Sequence, residues 1–273
     1  MANAKTAVRE AGDSPVFQVV ARSGFAVNGL IHLIIGCIAI GVAVSGGRGG
    51  EADPTGALKG IAQTPGGFLV LWIALVCLFA LGLWQVARAI LVPRGGSDAK
   101  DRMVRWGRRV TEAGKSLVYF ALGATTLSVA LGSRASSSES ATDASAQLLA
   151  SPGGVFLLVG IGLAFAGTGI GFVSIGVRRT FRKLIVVPDG AWGTAVTVLG
   201  LIGYIAKGFA LGVVGVLLLV AAFALDPGRA TGLDGALKSL VALPFGFALL
   251  IAVGLGLIAY GLYLIARTRL ARF

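Results

Sequence analysis

Three apolar stretches of the 273-residue chain each carry polar residues on a ladder with four-residue spacing. The ladders contain Asn28 and His32, then Lys115 and Tyr119, then Lys207. Residues four apart lie on nearly one face of a helix. Because lipid cannot satisfy polar groups, we expect this face to turn toward protein. A layer of Asn28, Lys115 and Lys207 would hold two positive charges and no acid, and could attract an anion or a carboxylate.

Each of these residues also has a simpler interpretation. A lysine near the end of a span can extend its ammonium group to the lipid headgroups. We favour this structural explanation for Lys115 and Lys207 over contact with a ligand or ion. For His32, the one histidine, we favour an interhelical hydrogen bond over a proton switch.

The sequence contains no convincing catalytic or cofactor motif. Gly114-Lys115-Ser116 imitates the end of a phosphate-binding loop, but Arg109 stands where its first glycine belongs. Two cysteines and one histidine are too few for a zinc site. No carboxylate falls within a predicted span to carry protons. We therefore predict that the protein is not an enzyme and has no cofactor or metal.

Composition predicts a membrane protein. The chain is 56% hydrophobic and 13% charged, with a mean hydropathy of +0.87, whereas soluble domains are about 25% charged. A transmembrane helix needs about 20 apolar residues. We predict an all-α polytopic protein with six spans, at residues 24–44, 67–91, 114–132, 154–176, 196–225 and 246–266.

The spans form an internal repeat. Displacing the chain by one repeat places Pro65-Gly66-Gly67 on Pro152-Gly153-Gly154, and displacing it by two places Gly82-Leu83-Trp84 on Gly261-Leu262-Tyr263. An even number of spans per unit gives parallel copies, so we predict three parallel two-helix repeats with pseudo-threefold symmetry. The predicted segments are an N-terminal tail (1–22), repeat 1 (23–91), a basic loop (92–109), repeat 2 (110–178), a second loop (179–198) and repeat 3 with the C-terminal tail (199–273).

Glycine and proline mark the turns and the helix contacts. The Pro-Gly-Gly segments are predicted to be structural corners, preceded by short stretches that could be interfacial or re-entrant helices. Gly167 with Gly171, and Gly208 with Gly212, have the spacing typical of close helix packing.

Most of the 24 lysines and arginines flank the same predicted side of the spans, which predicts cytoplasmic N- and C-termini. Residues 1–21 lack the apolar core of a cleaved signal peptide, so we expect the first span to be retained. The most basic loop should contact the anionic inner leaflet of the lipid bilayer. Its basic residues are Arg94, Lys100, Arg102, Arg105, Arg108 and Arg109. Since these charges fit membrane topology, we predict no nucleic-acid partner.

The repeated unit resembles the domain-of-unknown-function 1206 family of bacterial membrane proteins. The matching residues are Gly24-Phe25, Gly114 to Tyr119, Gly203-Tyr204 and Lys207-Gly208. Repeat 2 departs from the pattern, with Thr111-Glu112 in place of glycine and an aromatic residue. The resemblance implies a location in the bacterial plasma membrane and a three-repeat architecture, and no established activity.

Two functions remain open from the sequence. The polar layer favours a small-solute or anion transporter, a channel-like protein or a solute-binding protein. The glycine-rich helices and short loops favour a structural or accessory subunit of a larger membrane complex, with a membrane-protein partner, or a lipid-organising protein.

Overall fold

The computed structural model describes residues 15–90, 99–133 and 136–271. This part of the chain is helical apart from turns and one isolated bridge between Ile185 and Ala271. Its α-helices are α1 (Pro15–Val44), α2 (Pro54–Ala62), α3 (Gly67–Ile90), α4 (Ala99–Ala130), α5 (Ser137–Ala150), α6 (Gly154–Val177), α7 (Gly190–Ala224), α8 (Gly232–Val241) and α9 (Gly246–Leu270). The all-α prediction is confirmed for these residues.

Each predicted repeat contains a long helix, a short helix and a second long helix. The short helices α2, α5 and α8 include the stretches that were expected to be interfacial or re-entrant. Several long helices begin earlier than the predicted spans, because no proline interrupts them on that side. As a result, the segment predicted to be the basic loop contains the first turns of α4, from Ala99.

The corners before α3, α6 and α9 share one geometry. The backbone is left-handed at Gly66 (φ 78°), Gly153 (φ 77°) and Phe245 (φ 60°). The next residue is Gly67, Gly154 or Gly246, where an added Cβ would collide with the carbonyl oxygen of the residue six positions earlier. The prediction of structural corners therefore fits, and it explains why the second glycine occurs in all three copies.

Five helical segments of the described residues are long and apolar enough to cross a membrane: Arg22–Val44, Gly67–Ala87, Gly154–Val177, Gly190–Ala224 and Gly246–Leu270. The predicted span 114–132 lies mostly within α4 and is not one of them. Lys115, together with serines and threonines between residues 116 and 128, dilutes the hydropathy of that helix. The protein is thus a multi-pass helical membrane protein.

The chain forms two compact units, one containing Ile61–Ser133 and the other containing Asn28–Gly60 and Arg134–Arg272. In the first, α3 packs along α4, and the Phe79 and Phe120 rings lie 5.6 Å apart. In the second, α6 packs along α7, and α9 contacts both α7 and α1. In each of these pairings except α7 with α9, the second long helix of one repeat contacts the first long helix of another.

Candidate functional site

Glycine contacts hold together the helices around Lys207. A Cβ added to Gly169 of α6 would lie 2.6 Å from the carbonyl oxygen of Gly208 of α7. A Cβ added to Gly29 of α1 would lie 2.8 Å from the carbonyl oxygen of Gly261 of α9. Such distances leave no room for a side chain, so the backbones touch. Small residues allow this close approach in membrane helices.

The Gly208 and Gly212 spacing identified a helix contact, because a Cβ added to Gly169 of α6 would lie 2.6 Å from the Gly208 carbonyl oxygen and 2.8 Å from the Gly212 backbone nitrogen. Gly208 is packed against α6, as the motif predicts. Added Cβ atoms at Gly167, Gly171 and Gly212 would meet nothing within 4 Å. The contact on α6 is made by Gly169 instead, because the packed face of that helix is offset from the motif.

Lys207 projects from the middle of α7 into an aromatic environment. Its Nζ lies 4.5 Å from the centroid of the Tyr260 ring on α9 and 5.0 Å from that of Phe172 on α6. Among the described residues it forms neither an ion pair nor a hydrogen bond. A cation over a ring face is stabilised by the ring quadrupole, by about 2 kcal/mol when both are desolvated.

Further rings extend this cluster, which we call the aromatic cluster (Phe172, Phe181, Tyr204, Tyr260 and Tyr263). Tyr204 stacks between Phe172 and Phe181, with centroid distances of 5.6 and 5.3 Å. The Tyr260 ring meets the Tyr204 ring edge-on at 5.3 Å. Phe181 and Tyr263 are fully buried. The rings therefore form a rigid wall on one side of the Lys207 ammonium group.

His32 joins the same region from α1. Its ring lies 4.9 Å from the Tyr260 ring in an edge-to-face arrangement. Its Nδ1 donates a hydrogen bond of 2.8 Å to the carbonyl oxygen of Asn28, one turn earlier on the same helix. The expected interhelical hydrogen bond is replaced by an interhelical ring contact, since the intrahelical carbonyl takes the Nδ1 proton.

The structure places Lys115 and Tyr119 in the other compact unit. The Lys115 side chain is 46% exposed, and its Nζ forms an ion pair of 3.0 Å with Glu112. Lys115 therefore has an acidic partner that the ladder did not include, and the layer of Asn28, Lys115 and Lys207 stays a prediction. Glu112 lies three residues before Lys115, outside the four-residue ladder and before the predicted span.

The aromatic cluster was not predicted. Three of the chain's four tyrosines belong to it, and Tyr260 and Tyr263 are three residues apart on α9. Such crowding in one repeat could have signalled a cluster. Phe172 and Phe181 lie on other elements, so only the fold brings them together. Of the predicted basic surface, Arg94 lies outside the described residues, and so do the side chains of Lys100, Arg102, Arg105 and Arg108.

The fold and this site define a multi-pass helical membrane protein built from repeats. A family model described as Domain of Unknown Function (DUF1206) matches residues 23–91, 112–179 and 202–271. The chain therefore belongs to the DUF1206 family, as the sequence resemblance predicted. The three matched regions fit the three repeats predicted from the sequence.

A curated relative supports this assignment. The chain is 27% identical to "Uncharacterized protein YxxB" of Bacillus subtilis (strain 168) over 256 residues, which cover 90% of this chain and 88% of the relative. No solved structure matches the chain significantly.

Proposed function

We propose that the protein binds a small anionic solute at Lys207 in the plasma membrane of a bacterium, as a transporter, a channel-like protein or a solute-binding protein. The observation that carries this proposal is the Lys207 ammonium group, which has no carboxylate partner among the described residues. An uncompensated charge away from water costs several kcal/mol. The ring contacts offset part of this cost, and a bound anion would offset the remainder.

The site is built to keep this charge in place. Glycine contacts fix α6 against α7 and α9 against α1, and the aromatic cluster limits the rotation of the Lys207 side chain. Part of the Lys207 residue is exposed, and the proposed anion approaches from this exposed side. A rigid cation with apolar walls suits an anion that must give up water on binding.

A thermal-shift experiment tests this proposal. The purified protein in phosphatidylcholine nanodiscs is melted at constant ionic strength in sodium chloride, phosphate or benzoate, alongside the variants Lys207→Met and Lys115→Met. A ligand at 100 times its Kd stabilises by about 2.7 kcal/mol. We expect one anion to raise the Tm of the wild type and of Lys115→Met and to leave Lys207→Met unchanged. An equal shift in Lys207→Met, or no shift with any anion, would overturn the proposal.

Native mass spectrometry from the source membrane tests the alternative. A reproducible heavy complex would favour a structural or accessory subunit. A protein without partners that retains a non-lipid anion would favour solute binding, and anion flux into proteoliposomes would then separate transport from binding.

We also propose six spans with both termini in the cytoplasm, and the pseudo-threefold arrangement that three equivalent repeats permit. The sixth span is supported by the packing of α4 along the membrane-length helix α3. In a background with Cys37→Ser and Cys77→Ser, an impermeant thiol reagent should label Ser133→Cys on intact cells. The control Arg269→Cys should react only after permeabilisation. Labelling of both residues, or of neither, on intact cells would contradict this topology.

A further inference from the structure

Segments from all three repeats meet in a second polar region. We call it the polar cap (Glu51, Asp53, Thr55, Lys59, Ser137, Ser138, Asp234 and Lys238). These residues lie in or beside α2, α5 and α8, outside the membrane-length helices, and belong to one compact unit.

Asp234 ties the three segments together. Its carboxylate accepts hydrogen bonds of 2.8 Å from the backbone N–H of Ala52 in repeat 1 and 2.8 Å from Lys238 Nζ in its own helix. The hydroxyl group of Ser138 in repeat 2 donates to it over 3.4 Å. With 4% of its surface exposed, this carboxylate is fully paired.

Asp53 differs from Asp234 in its pairing. It caps α2 through Oδ1, which accepts a hydrogen bond of 2.8 Å from the Gly56 N–H. Only 1% of the residue is exposed, and Oδ2 has no hydrogen-bond partner among the described residues. Leaving a buried charged oxygen unpaired is costly. The hydroxyl group of Ser137 in repeat 2 is hydrogen-bonded to that of Thr55, two residues after Asp53.

The charges around Asp53 do not neutralise it. Lys59 is paired with Glu51 at 3.1 Å, and Lys238 is paired with Asp234 at 2.8 Å. Burial raises the pKa of the Asp53 carboxyl group above its ordinary value, and the charges of Glu51 and Asp234 act in the same direction. The Gly56 N–H and the Ser137 hydroxyl group act against this shift.

We propose that the polar cap is a proton-operated latch: with Asp53 protonated, its buried Oδ2 carries no charge, and the Thr55–Ser137 hydrogen bond fastens repeat 1 to repeat 2. Loss of the proton leaves three carboxylates and two lysines in one enclosed cluster and loosens the latch. On the proposed topology the cap faces the exterior, so external pH sets its state.

The sign of the pH effect follows from the direction of the shift. A carboxyl group with a raised pKa in the folded cap holds its proton more tightly there than in the open state. The stabilisation is therefore present below the unfolded pKa and is lost as pH rises through the folded pKa. Between these two pKa values, the equilibrium constant for opening of the polar cap should increase about tenfold for each unit of pH.

Hydrogen exchange in nanodiscs at pH 5 to 8, corrected for intrinsic rates, measures this opening at the Ala52 and Gly56 amides. Asp53→Asn keeps the acceptor for Gly56 and replaces the protonated oxygen with an amide donor. We expect wild-type protection to fall as pH rises, and Asp53→Asn to stay protected throughout. The control Asp234→Asn, which loses the ion pair with Lys238, should be less protected at every pH.

Two results would overturn the latch. One is wild-type protection that does not change with pH, which can be measured even where a variant does not fold. The other is an Asp53→Asn cap that opens with the same pH dependence as the wild type. Neither result depends on Lys207, so the latch and the anion site can fail separately.

Discussion

Repeats 2 and 3 place different chemistry at corresponding positions of one motif. Lys115 and Lys207 correspond, and so do the next residues, Ser116 and Gly208. Lys115 is exposed and paired with Glu112, whereas Lys207 lies among aromatic rings and has no anionic partner in the part of the chain that the structure describes. The two lysines therefore carry the same charge in different surroundings: Lys115 pairs with a local acid, and Lys207 packs against aromatic rings.

The helix contacts beside these lysines differ in the same way. In repeat 3, Gly208 lets α7 touch the backbone of α6. In repeat 2, the buried Ser116 occupies the corresponding place, and α4 meets α3 through the Phe120 ring, which fills the notch left by Gly82. At corresponding positions, repeat 3 thus has a glycine in a backbone contact, whereas repeat 2 has a buried serine followed by a phenylalanine ring in a side-chain contact.

Gly208→Ser should have the largest effect, because it gives repeat 3 the residue of repeat 2. The new Cβ would lie 2.5 Å from the carbonyl oxygen of Gly169, and overpacking of this kind costs about 3 kcal/mol. We expect a lower Tm in nanodiscs.

Gly212→Ser on the same helix is the matched control, since its Cβ meets nothing within 4 Å. Its Tm should equal or slightly exceed that of the wild type. If the two variants melt alike, the backbone contact does not hold these helices together.

Lys207→Met should have the next largest effect on stability, and whether it raises or lowers the Tm is informative. Removing an unpaired charge from an apolar site should stabilise the protein without ligand, by about 1–2 kcal/mol, even though the ring contacts are lost. Lys115→Met breaks an exposed ion pair and should change stability by less than about 1 kcal/mol. A large destabilisation by Lys207→Met, measured as Tm in the absence of added anion, would show that its ring contacts are structural.

The sequence predicted the helices and the repeats, because apolar run length and the recurrence of glycine and proline are local properties. It was less successful with the site. The ladder located His32 and Lys207, which share contact with Tyr260. It could not detect Phe172 or Phe181, because these residues approach Lys207 only through helix packing. It also did not include Glu112, the ion-pair partner of Lys115, because that residue lies off the ladder.

The corners offer the smallest and most direct comparison between the repeats. Phe245 occupies the left-handed position that Gly153 occupies in repeat 2, and it is 89% exposed. A side chain costs about 1 kcal/mol in this conformation. Replacing it with glycine removes that cost, but glycine also has more conformational freedom in the unfolded chain, which offsets part of the stabilisation. Phe245→Gly should therefore raise stability by about 0.5 kcal/mol, and Gly153→Phe should lower it. Measuring the Tm of both variants in detergent and in nanodiscs also tests whether the Phe245 ring interacts with lipid. Stabilisation in detergent together with destabilisation in nanodiscs would mean that repeat 3 keeps a strained Phe245 because its ring inserts into lipid.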